Sequence, residues 1–61
     1  MAGEVIVEYG GNQYRAFYEF NEGILTVSSA NKKKSRQILG FVHPQILARV
    51  ILREMIQEGD L

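Results

Sequence analysis

The sequence predicts an α+β domain: an antiparallel β-meander of three to four strands, with one C-terminal α-helix packed on one face. Three observations lead there. Apolar and polar residues alternate through the first half of the chain. Glycine-bearing turns separate the alternating runs. From Pro44 onward the apolar spacing changes from two to three and four, the period of a helix. The 61 residues form a single small domain, 1–61, since domains usually run to roughly 100–150 residues.

Val5, Val7 and Tyr9 alternate with Glu4, Ile6 and Glu8, the mark of a half-buried strand. Gly10-Gly11-Asn12 follows, and residues of this kind accept the positive φ of tight hairpin turns. The second strand, Gln13 to Phe20, carries Tyr14, Ala16, Tyr18 and Phe20 on one face and Arg15, Phe17 and Glu19 on the other. Two registers fit. A Gly10-Gly11 turn pairs Val7 with Tyr14, and a Gly11-Asn12 turn pairs Val7 with Ala16. They differ by two residues, so the buried set is the same in both.

Asn21-Glu22-Gly23 is the next turn, and Ile24 to Ser29 the third strand. A Glu22-Gly23 turn pairs Phe20 with Leu25 and Tyr18 with Val27. Residues 30–33 are polar and turn the chain again. A four-residue turn here makes 34–39 a fourth strand, with Leu25 opposite Ile38 and Val27 opposite Arg36; the alternative is a loop around Lys32, Lys33 and Lys34. Gly40 breaks the strand, and Phe41 and Val42 lead into His43-Pro44. Proline suits the first helical position, because its fixed φ matches and its missing N–H has no partner there anyway. The helix then runs from Pro44 to about Glu58, with Gly59 as its stop.

Leu47, Ile51 and Met55 form the central stripe of that helix, flanked by Ile46 and Val50 and by Leu52 and Ile56. Only Arg49, Arg53 and Gln57 make a clean polar stripe, while Glu54 and Glu58 sit within the opposite arc. A helix this apolar contacts more than one surface. The expectation is that one side covers the sheet and the other meets a partner, most simply a second copy in a homodimer.

Composition narrows the function classes. Seven Lys+Arg balance seven Asp+Glu, which excludes a uniformly polycationic coat protein and an acidic tail. The absence of cysteine excludes disulfides and thiolate metal sites. A single histidine, His43, would need ligands from other subunits to complete a zinc site of the usual type. No metal or cofactor is expected. A chain this short buries only about 60% of its unfolded surface, so good packing or association must make up the difference. Met1-Ala2-Gly3-Glu4 has no positive charge before the apolar run, so no secretory signal is expected. Ala2 is not the glycine that myristoylation requires. No apolar run approaches the roughly 20 residues of a membrane span. A small soluble cytoplasmic protein, with no membrane partner, is the reading.

Catalytic machinery is sparse. Ser35, His43 and a glutamate make a triad on paper, but no nucleophile elbow supports it, and His43 reads more simply as a residue at the helix start. Lys34-Ser35 ends a segment that lacks the glycines of a phosphate-binding loop. Glu4, Glu8 and Glu19 share the outward sheet face, where a solvated surface partly paired with Arg15 explains them better than a cation site. The expected class is therefore a non-enzymatic interaction module or accessory subunit.

Charge is segregated along the chain. Residues 1–23 hold four acids and one base, residues 24–53 six bases and no acid, and residues 54–61 three acids. The bases Lys32, Lys33, Lys34, Arg36, Arg49 and Arg53 support the alternative function, a nucleic-acid or polyanion binder, because lysine and arginine contacts to phosphate supply non-specific affinity. No helix-turn-helix, zinc-finger or RNP-like signature accompanies them. For a protein partner the candidate contacts are Ile46, Val50 and Ile56 on the helix, with Ile6, Phe17 and Ile24 on the outward sheet face, where contiguous apolar residues would mark a contact surface.

Overall fold

The computed structural model describes residues 1–30, 32–40 and 43–59. Phe41 and Val42, expected to lead into the helix, lie outside the described residues, as does Asn31. Four strands, β1 (Ala2–Tyr9), β2 (Asn12–Asn21), β3 (Ile24–Ser29) and β4 (Lys32–Gln37), precede one helix, α1 (Pro44–Gln57). The strands form one antiparallel sheet in the order β1-β2-β3-β4. This is the α+β meander, with the helix packed on one sheet face.

The first hairpin adopts the Gly10-Gly11 register, pairing Val7 with Tyr14 and Val5 with Ala16. Both glycines have positive φ, 58° and 82°, as a turn of type I′ requires. The second turn has Glu22 and Gly23 at 52° and 77° and pairs Phe20 with Leu25 and Tyr18 with Val27.

The fourth strand corrects an expectation. It spans 32–37 rather than 34–39, and Leu25 faces Arg36 while Val27 faces Lys34. Ser29 pairs with Lys32, so two residues turn the chain instead of four. The turn is made without glycine: Ala30 takes φ 52°, a region disfavoured for residues with a Cβ. The slip is two residues, so each side chain keeps its face. The tighter turn sets the Thr26 and Ser35 hydroxyls 2.9 Å apart.

The core is the inner sheet face and the helix stripe against it. Val5, Val7, Ala16, Leu25 and Val27 meet Ala48, Ile51, Leu52 and Met55, each at most 3% exposed. Tyr14, Tyr18, Phe20, Ile38, Leu47 and Ile56 pack around them. Truncating one of the large members, such as Leu25, to alanine costs about 2–5 kcal/mol in sites of this kind. Gly3 lets the Tyr18 ring lie across β1: a Cβ there would sit 2.9 Å from Tyr18 Cε2. His43 is the N-cap residue in extended conformation, Pro44 opens the helix, and Gly59 follows the Glu58 C-cap at φ 80°.

Candidate interaction surfaces

The most organised polar feature joins β4 to the end of α1. Alternation places Lys34 and Arg36 on the inner face, beside Val27 and Leu25. Glu54 and Glu58, one helical turn apart, face them. Lys34 Nζ donates to both Glu58 oxygens at 2.9 and 2.8 Å and lies 3.3 Å from Glu54 Oε1. Arg36 grips Glu54 in a two-pronged pair, Nη1 to Oε2 at 3.2 Å and Nη2 to Oε1. The Arg36 hydrogen bonds hold the Glu54 carboxyl below its ordinary range, against partial burial, with Lys34 adding to the effect. Lys34 is raised, chiefly by its bonds to Glu58. Carboxylates in a last helical turn oppose the helix dipole; these cations offset that.

The cluster divides the six bases singled out in the sequence. Lys34 and Arg36 are engaged with the helix. Lys33 lies on the outer sheet face opposite Ser28, Lys32 is exposed at the start of β4, and Arg49 and Arg53 are exposed on the outer side of α1. The structure therefore distributes these groups over several surfaces.

The outer sheet face carries Ile6, Phe17 and Ile24. Phe17 is 63% exposed and stands in a row Glu4-Phe17-Ser28-Lys33 across all four strands. It borders an open hollow of about 720 Å³ that also touches Glu19 and Thr26. Ile6 is diagonal to Phe17, since its direct partner is Arg15. Ile24 pairs with Asn21, two rows away, about 13 Å along the strands. Ile6 and Phe17 are thus neighbours and Ile24 stands apart. Arg15 Nε lies 3.4 Å from Glu4 Oε2 in a solvent-exposed pair, a geometry that adds little stability.

On the helix the three candidates also divide. Ile56 packs against the core. Ile46 and Val50 remain exposed, 58% and 39%, on the same outer side as Arg49 and Arg53. Ile46 adjoins His43, Met1 and Tyr18 around a smaller hollow of about 320 Å³. The two sets of exposed apolar residues therefore occupy opposite faces of the molecule.

The paper triad does not assemble. Ser35 bonds Thr26 on the outer face, while His43 caps the helix on the other. Among the described residues no three metal-ligating side chains converge.

A feature that side-chain pattern alone did not single out is the edge of β1. Met1 and Phe20 exchange both backbone hydrogen bonds, at 2.7 and 3.1 Å. In an antiparallel ladder such pairs alternate with pairs whose backbone groups point away from each other. The uninterrupted register therefore turns the N–H and C=O of Ala2, Glu4, Ile6 and Glu8 outward, where no described residue bonds them. None of the described helices is long and apolar enough to cross a membrane. A scan of protein-family models gives no match for this chain, and searches of curated proteins and of solved structures likewise find no match.

Proposed function

We propose that this chain is a small non-enzymatic interaction module that works by self-association as a homodimer, or as an accessory subunit in a larger assembly, in the cytoplasm. The observation that carries this reading is the apolar surface the finished fold leaves outside. The helix stripe is fully used, yet Phe17, Ile6, Ile46 and Val50 stay exposed, and among the described residues nothing forms a second layer on the outer sheet face. Two-layer domains bury one face of a sheet and leave the other for water or a partner. The polyanion reading has less support, because Lys34 and Arg36 are bound to Glu54 and Glu58. Size-exclusion chromatography with light scattering tests the proposal. A species of twice the 6.9 kDa chain mass at high micromolar concentration is expected. A clean monomer there removes the homodimer.

A further inference from the structure

We infer that the β1 edge is where two copies join, their β1 strands pairing antiparallel about a two-fold axis to form one continuous sheet. The inference rests on the self-association reading for its partner, a second copy; the joint it names is made by backbone groups, and Phe17, Ile46 and Val50 lie outside it.

The two edges of the sheet differ. Over its six residues β4 carries Lys32, Lys33, Lys34 and Arg36, and lysines on an edge are a common guard against strand addition. β1 is eight residues long, without lysine, arginine or proline and with no bulge in its register. Its outward backbone groups, at Ala2, Glu4, Ile6 and Glu8, form an uninterrupted series of donors and acceptors. A long, regular edge without lysine, arginine, proline or a bulge, whose only charges are Glu4 and Glu8, is a template for another strand.

Hydrogen-bond parity and charge select the partner and the register. Outward groups pair only with outward groups, so even-numbered residues of one β1 face even-numbered residues of the other. With Val5 facing Val5 of the second copy, Glu4 faces Ile6, Ala2 faces Glu8 and Gly3 faces Val7. Moving the axis to Ile6 sets Glu4 against Glu8, and like charges directly opposite are unfavourable. The Val5-centred register avoids that, and Glu4 keeps Arg15 beside it. Addition of β4 from another copy is the competing arrangement. The same parity would bring Lys32, Lys34 and Arg36 of that copy beside Val5 and Val7, and the contact would not close. A second β1 brings valines instead and closes after two copies.

The test uses the whole chain with light scattering and two substitutions. Ile6→Pro removes an outward N–H without breaking a bond to β2, and proline is tolerated at such edge positions. It is expected to preserve the circular dichroism spectrum and weaken dimerisation at least tenfold. Val5→Cys places two thiols at a non-hydrogen-bonded pair, where Cα atoms lie about 4.5 Å apart, within disulfide reach. It is expected to oxidise to a covalent dimer, whereas Ile6→Cys is not. A folded Ile6→Pro dimer, an uncrosslinked Val5→Cys, a crosslinked Ile6→Cys, or a mass that grows without limit each overturns the β1 pairing while self-association stands. A monomeric wild-type chain overturns both. Should Ile6→Pro fail to fold, crosslinking at Val5 decides the matter.

Discussion

Replacing Arg36 with methionine should destabilise the domain more than replacing Glu54 with glutamine, although both break the same ion pair. Arg36 and Glu54 side chains are 40% and 31% exposed, so solvent screens the pair and its worth sits toward the upper end of surface bridges, about 0.5–1 kcal/mol. Methionine keeps much of the aliphatic stem in place. The Glu54 carboxylate opposes the negative end of the helix dipole by about 0.3–1 kcal/mol with or without Arg36, so Arg36→Met loses the pair alone, about 0.5–1 kcal/mol. Glu54→Gln removes the pair and the unfavourable carboxylate together, so its net cost is about 0.5 kcal/mol or less. In a domain this small, 1 kcal/mol shifts Tm by about 4–8 °C. Urea and thermal melts at one fixed low concentration would resolve the two variants. Equal costs, or a larger cost for Glu54→Gln, would refute the dipole argument; a negligible cost for both would refute the pair.

Further outcomes follow from the same structure. The Glu54 carboxyl is depressed in the fold, so its stabilisation is present above its ordinary value of 4.5 and is lost as pH falls through the lower folded value. Lys34 is raised, so its contribution is complete below 10.5 and is lost as pH rises through the folded value; melts across pH should show the acid limb weakened in Arg36→Met. Ala30→Gly should raise stability by up to about 1 kcal/mol, because Ala30 holds a left-handed φ of 52° that glycine adopts without a Cβ penalty; an unchanged or lower Tm would contradict this. Gly3→Val should cost about 1–3 kcal/mol by overpacking, since its Cβ would meet the Tyr18 ring at 2.9 Å, and should change tyrosine fluorescence.

Strand order, the two glycine-marked turns and the buried face were legible in the sequence because alternation and turn glycines are local signals, though the first hairpin left two registers open. Val5, Val7, Ala16, Leu25 and Val27 are all core residues of the structure. The third turn was misjudged because no glycine marks it: Ala30 is held left-handed by the pairing around it, which residue type does not disclose. The basic segment looked like one surface because charge was counted along the chain. In space Lys34 and Arg36 meet Glu54 and Glu58, some twenty positions later. The signal was present in the two carboxylates one turn apart on the helix side away from Arg49 and Arg53. Ile56 sits on the flank of the wheel, yet it packs against the core, since the helix beds deeper on that side than a single apolar stripe implies. The β1 edge needed the hydrogen-bond phase fixed by Met1 and Phe20, which no side-chain pattern carries.

Residue-resolved amide exchange over a concentration series tests the central claim most directly. The amides of Val5 and Val7 point toward β2 and are protected at all concentrations. Those of Glu4, Ile6 and Glu8 point outward, and on this account they exchange rapidly in dilute solution and become protected as concentration rises. Rapid exchange at Glu4, Ile6 and Glu8 at concentrations where light scattering reports a dimer would contradict it.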